Sequence, residues 1–175
     1  ELDLHQNRLS GTVPSTWSQW SSLEVLVLNN NWLSGAALAQ PRHKLRLQVL
    51  DLRHNSFHGT LHPDLFLHTL KVVLLSNNSF SGSLPPNLGE LRTLVADSNH
   101  FVGTLPSRAP KLTNIVLTSN RLTGSLPILP ETLQQLLLRG NEISGTVPSA
   151  LVRQRSLRYL DLTDNLLTGS LPMTW

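Results

Sequence analysis

The chain contains no cysteine, so neither a disulfide framework nor a thiolate metal cluster can be built from it. Aromatic residues make up 5% and charged residues 14% of its 175 positions, whereas an ordinary globular domain carries about 25% charged residues. A core of large rings and a heavily charged shell are thereby excluded. The formal charge of +3, from 14 Lys+Arg against 11 Asp+Glu, is too small to demand a nucleic acid as partner. No run approaches the roughly 18 apolar residues that cross a bilayer, and no charged-then-apolar leader opens the chain. Membrane insertion by this segment is not expected.

What is present is a period. Asn7, Asn31, Asn55, Asn78, Asn99, Asn120, Asn141 and Asn165 fall in one register, with steps of 24, 24, 23, 21, 21, 21 and 24 residues. Around each the pattern LxxLxLxxNxLxG recurs, as in Leu112, Ile115, Leu117, Asn120, Leu122 and Gly124. The glycine four places after each Asn (Gly11, Gly35, Gly59, Gly82, Gly103, Gly124, Gly145, Gly169) accounts for eight of the ten glycines. Each unit reads as one coil: a short strand of alternating residues, then a turn away and a return one coil higher. The leucines point inward, and because no single coil can bury them, stacking is obligatory. The eight Asn side chains are expected to form a ladder, each amide donating to and accepting from turn backbone that stacking removes from water.

Extended to LxxLxLxxNxLxGxxP, with Pro14, Pro85, Pro106, Pro127, Pro148 and Pro172 filling six of eight final places, the pattern resembles the plant-type class of leucine-rich repeats. That class occurs in plant receptor-like kinase and receptor-like protein ectodomains, polygalacturonase inhibitors and trypanosomatid surface antigens. The Trp-bearing phrase from Gly11 to Leu23, echoed at Gly169 to Trp175, looks most like the protozoan antigens. The resemblance implies an α/β solenoid dominated by β. Its right-handed coil would carry a curved parallel sheet on the concave face and short 3-10, helical or extended segments on the convex face. Residues 1–175 form a single array of about eight repeats, expected to be truncated at both ends and to lack capping motifs. Its terminal coils, carrying Leu2, Leu4, Leu171 and Trp175, should therefore fray. Leader or anchor segments would lie outside it.

Three stretches depart from the pattern. Ala36 to Gln40 is a run of good helix formers, and Pro63-Asp-Leu-Phe66 begins like a helix with proline in its first turn. Leu126 to Leu136 looks like one repeat of the bacterial effector class, in which such arrays precede a ubiquitin-ligase domain.

Strand residues facing away from the core define the open face. Between the inner leucines run Asp3, Val27, Asp51, Leu74, Val95, Val116, Leu137 and Asp161; the preceding column reads Glu1, Val25, Val49, Val72, Thr93, Asn114, Gln135 and Tyr159. Water-facing strand positions should be polar, so an aliphatic stripe from Leu74 to Leu137 points to a partner. The alternative is that β-branched residues merely stiffen strands and cover one another. Burying four such side chains is worth about 6–10 kcal/mol gross, most of it offset by the entropy of association. Arg53, Asp97 and Arg139, two places on from the stripe, would form its polar rim, with Tyr159 as an aromatic anchor. Trp32 is placed in a turn. Asn77-Asn78-Ser79 is the sole glycosylation sequon, and a glycan at Asn77 would stand beside this face.

Catalytic constellations fare poorly. His54, His58 and His62 converge only on a helix, whereas here they cross strand end, turn and bend. His54, Ser76 and Asp97 sit on consecutive coils with Ser, not His, in the middle. Asp3 and Asp51 share a column but lie on an open face without a pocket. The basic run Arg42 to Arg46 reads as a solvated edge. No enzyme activity, cofactor or metal is expected. The expected partner is a protein or peptide, or else a glycan, bound through Val49, Arg53, Val72, Leu74, Val95, Asp97, Val116, Leu137, Arg139 and Tyr159, at the cell surface or outside the cell. The competing reading is an intracellular scaffold or substrate-selecting arm of a kinase or ubiquitin ligase.

Overall fold

The computed structural model describes residues 1–36, 46–66 and 69–173. Eight three-residue or shorter strands, from Leu2–Asp3 through Val25–Val27, Val49–Asp51, Val72–Leu74, Thr93–Val95, Asn114–Val116 and Gln135–Leu137 to Tyr159–Asp161, form one parallel sheet in chain order. The register is strict: Leu74 pairs with Val95, Val95 with Val116, Val116 with Leu137 and Leu137 with Asp161. Each step is a whole repeat, so every sequence column becomes a physical row about 4.8 Å apart from coil to coil.

A second parallel sheet, which the one-strand-per-coil reading did not anticipate, follows the Asn positions. Six strands pair in it from Ser10–Thr12 through Trp32–Ala36, Ser56–Gly59, Ser79–Ser83 and His100–Gly103 to Arg121–Leu122, and Ser144–Gly145 pairs separately with Leu166–Leu167. Here the residue two places after each Asn points in and its neighbours point out, the same period of two as in the first sheet. Ala36 therefore ends a strand, not a helix start, and 37–40 lie outside the described residues, as do 42–45 of the basic run. Trp32 opens that strand and is 64% exposed, so it belongs to a sheet face and not to a turn.

The core lies between the sheets. Three of the inward positions carry phenylalanine in place of leucine, and Phe57, Phe80 and Phe101 are fully buried and stacked with ring centroids 6.3 and 6.2 Å apart. Few rings in the whole sequence thus suffice, because these sit in phase on consecutive coils.

Repeat length is decided on the convex side. The 3-10 turns Ser15–Gln19, Pro63–Phe66 and Ser149–Arg153 occur in coils of 24, 23 and 24 residues, and the three 21-residue coils contain none. One 3-10 turn is about three residues, close to the excess of three in the 24-residue coils and two in the 23-residue coil. The expected helical start at Pro63 is one of these turns.

Candidate functional site

The Asn side chains fix the geometry of both sheets. Asn99 Nδ2 donates to the carbonyls of Leu75 on the previous coil and Ala96 on its own, and Asn99 Oδ1 accepts from the Phe80 N–H at 2.9 Å. The same three-way staple recurs at Asn31, Asn55, Asn78, Asn120, Asn141 and Asn165; Asn120, for example, holds Ala96, Leu117 and Phe101. The Asn7 side chain donates to the Leu4 and His5 carbonyls of its own coil. Just before each ladder Asn the backbone turns left-handed, at Gln6, Asn30, His54, Asn77, Ser98, Ser119, Gly140 and Asp164, with φ between 52° and 67°. Asn, Asp and Gly are the residues that tolerate this region best, a signal present in the sequence that the repeat pattern leaves out.

On the open face, Leu74, Val95, Val116 and Leu137 point outward but are half-buried, each partly covered by its neighbours in the column. The apolar area left for a ligand is therefore smaller than four full side chains. Val25, Val49 and Val72 continue the band diagonally onto the earlier strands through direct pairing, while Thr93, Asn114 and Gln135 border it, with Asn114 Nδ2 donating to Gln135 Oε1 at 3.1 Å. Tyr159, beside Gln135, stands 64% exposed.

The charged residues of the rim are engaged rather than idle. Asp51 is 5% exposed and forked by Arg53, whose Nη2 donates to Asp51 Oδ2 at 2.7 Å. Asp3 and Asp161, in the same column, make the same local turn with His5 and Thr163. The Thr163 hydroxyl, together with its backbone N–H, holds the Asp161 carboxyl below its ordinary value. Asp97 accepts from the Ser76 hydroxyl, whereas His54 meets this serine through the backbone, its N–H donating to the Ser76 carbonyl at 2.9 Å. Arg139 bonds to Asp164 at 3.1 Å. Asn77 is exposed at the left-handed turn that ends the strand Val72–Leu74. Among the described residues no three His, Cys, Asp or Glu side chains come together as a metal site.

The second sheet carries a feature that sequence reading missed. Its outward positions three places after each Asn are Ser10, Ser34, His58, Ser81, Val102, Thr123, Ser144 and Thr168, and those five places after are Thr12, Ala36, Thr60, Ser83, Thr104, Ser125, Thr146 and Ser170. Pairing is offset by two places, so that Thr12 faces Ser34, and Ser83 faces Val102, which faces Arg121. Every member of the latter set is exposed, and neither set holds an acid, lysine or arginine. Four of its threonines are wedged against the next coil's glycine: a methyl group on Gly35, Gly82, Gly124 or Gly169 would come within 2.6–2.9 Å of Cγ2 of Thr12, Thr60, Thr104 or Thr146. The signal was available, since these residues flank the phased glycines.

A sequence profile described as "Leucine Rich Repeat" matches residues 1–20, 46–68, 69–91, 132–153 and 156–175, more than half of the chain. The chain belongs to the leucine-rich-repeat family. Among proteins similar to this leucine-rich-repeat chain, Receptor-like protein 39 of Arabidopsis thaliana is 42% identical over 88 residues, covering 48% of this chain and 10% of that protein. Receptor-like protein 32 of the same plant is 32% identical over 108 residues, 49% of this chain and 12% of its own length. The Arabidopsis receptor kinase HAESA ectodomain, solved with an N-terminally extended IDA peptide hormone, superposes with a TM-score of 0.90 at 33% identity over 98% of this chain and 30% of its own. A plant ice-binding protein superposes at 0.85 and 25% identity, over 98% of this chain and 58% of its own. The repeats here thus span about a tenth of the curated relatives and under a third of the HAESA ectodomain. Among the described residues no helix is long and apolar enough to cross a membrane.

Proposed function

We propose that this chain is a non-catalytic recognition module that holds a peptide or protein segment on the open face of its first sheet, as part of a cell-surface or secreted protein. The observation that carries this reading is the uninterrupted outward row Leu74, Val95, Val116 and Leu137, kept in register by direct strand pairing. A solvent-facing sheet has no use for it, and a ligand does. Val49 and Val72 widen the row, and Arg53, Asp97, Arg139 and Tyr159 supply polar and aromatic contacts that select among partners. Support for a peptide as ligand comes from the HAESA ectodomain, whose structure contains a peptide hormone, and for the cell surface from the receptor-like relatives.

The test is selection of a random peptide display library on the chain and on its Val95→Asp/Val116→Asp double variant. Both substitutions face outward, so the thermal transition should hold within a few degrees, while enriched peptides should lose at least tenfold in affinity through two desolvated carboxylates. Equal enrichment by both proteins would place recognition elsewhere. Location is tested in cells that make the parent protein: secretion or surface display, with a mobility shift abolished by Asn77→Gln, supports this reading, and retention in the cytoplasm removes it.

A second reading rests on the exposed hydroxyls of the second sheet. Exposed threonines and serines on seven of the eight coils, with Ala36 on the other, offer hydroxyls that can order water, and the similarity to a plant ice-binding protein supports the same idea. Thermal hysteresis that vanishes in Thr60→Tyr/Thr104→Tyr supports it; no effect of the wild-type chain on ice growth removes it.

A further inference from the structure

The three short coils leave a recess on the convex side that neither reading uses. Where longer coils lay a 3-10 turn over the core, the coils after Asn99 and Asn120 cross in extended form, and a cleft of about 430 Å³ opens between them. Its walls are Leu105 and four prolines, Pro106, Pro110, Pro127 and Pro130. At its back lie Leu112 and Ile115, which are themselves buried. Prolines carry no N–H and a fixed φ, so these walls present few donors and are rigid before any ligand arrives. Ile128, on the same lining, is 88% exposed, an aliphatic side chain left in water at the lip.

One lining residue is charged. Arg108 is exposed at this cleft and forms no ion pair among the described residues. Its backbone is held on both sides: its N–H donates to the Pro86 carbonyl and its carbonyl accepts from the Leu88 N–H, each at 2.9 Å. The nearby cation Lys111 is already paired with Glu90 at 2.7 Å, so it does not neutralise a ligand here.

We propose that this cleft is a binding site for a small amphiphilic monocarboxylate, with the aliphatic or aromatic body among the prolines and the carboxylate on the Arg108 guanidinium. The volume falls in the range of small-ligand pockets, about 300–1,000 Å³. A single planar guanidinium matches one carboxylate in a two-pronged geometry. It leaves a dianionic phosphate half compensated, and an acid-free lining repels no anion.

The probes are octanoate, octanol and octylamine, titrated into the purified full chain and followed through the methyl NMR signals of Ile128, Leu112 and Ile115. Octanoate should shift these signals saturably, octanol should bind at least tenfold more weakly, and octylamine should be weaker than octanol. Arg108→Gln should bring octanoate down to the level of octanol and leave octanol unchanged, which also shows that the cleft has kept its shape. Ile128→Ser should weaken octanoate and octanol alike. Octanoate binding that is insensitive to Arg108→Gln, equal binding of octanoate and octylamine, or octanoate-induced shifts confined to other parts of the chain would each overturn the assignment.

Discussion

Arg53 grips the carboxylate that stands two residues before it: Nε donates to Asp51 Oδ1 at 3.0 Å, Nη2 to Oδ2 at 2.7 Å, and the Arg53 backbone N–H to Oδ1 at 3.1 Å. The bonds to Asp51 raise the guanidinium above its already high ordinary value, so it stays charged wherever the chain is folded. Arg53→Leu leaves a nearly buried carboxylate with one backbone donor and should cost about 1–3 kcal/mol. Adding Asp51→Val should recover most of that loss, since removing both partners strands no charge, and would extend the apolar row back to Val27. Urea midpoints of the two variants check this; an Arg53→Leu variant as stable as the parent would show that the pair is not structural.

The ladder predicts an asymmetry between chemically identical substitutions. Asn120→Ala strands the buried Phe101 N–H, while the Ala96 and Leu117 carbonyls keep their bonds from Asn99 and Asn141, and should cost about 1–3 kcal/mol. Asn7→Ala removes bonds to Leu4 and His5 at an exposed turn and should cost under about 1 kcal/mol. Equal losses in denaturant melts would mean that the staple between coils adds nothing.

Glycine substitutions separate backbone strain from contact. Gly11 and Gly82 have φ of 85° and 74°, but only at Gly82 does a new methyl meet a neighbour, Thr60 Cγ2 at 2.6 Å. Gly82→Ala should therefore destabilise more than Gly11→Ala by on the order of 1 kcal/mol. Thr60→Ser, which removes that methyl, should rescue the Gly82→Ala variant while doing little for Gly11→Ala. Thermal melts of the four combinations form the test.

Asp161 predicts an acid limb. Its carboxyl is held below the ordinary 3.8, first by the Thr163 hydroxyl and then by the Thr163 backbone N–H. The folded state thus binds its proton less readily than the unfolded chain. The stabilisation is fully present above 3.8 and is lost as the pH falls through the lower folded value. Thr163→Val should move the Asp161 titration, followed by carboxyl NMR, up towards the ordinary value; an unmoved titration would remove the hydroxyl as its cause.

The inward leucines, the Asn ladder positions, the phased glycines and the rows of the first sheet were legible in the sequence, because each is a column at whole-repeat spacing. The second sheet was not, since the short x-L-x-G stretch reads equally as a turn until stacking supplies a partner strand. That is why Trp32 was placed in a bend when it opens a strand. The rim was only half legible: columns identify Arg53, Asp97 and Arg139 as neighbours of the stripe and place Ser76 beside Asp97, but the bonds of Arg53 to Asp51 and of Arg139 to Asp164 run along or diagonally across coils. The cleft at Arg108 was invisible, because it arises from residues that three coils lack.

All variation in repeat length falls between each phased glycine and the next inward leucine, where Gly145 to Leu157 contains a 3-10 turn and Gly103 to Leu112 does not. A deletion or insertion there changes the outer rim by one helical turn without shifting the pairing of either sheet. Evolution can therefore sculpt hollows and ridges on the back of such an array at little mechanical risk, much as cladding is altered on a building whose frame stands apart from it.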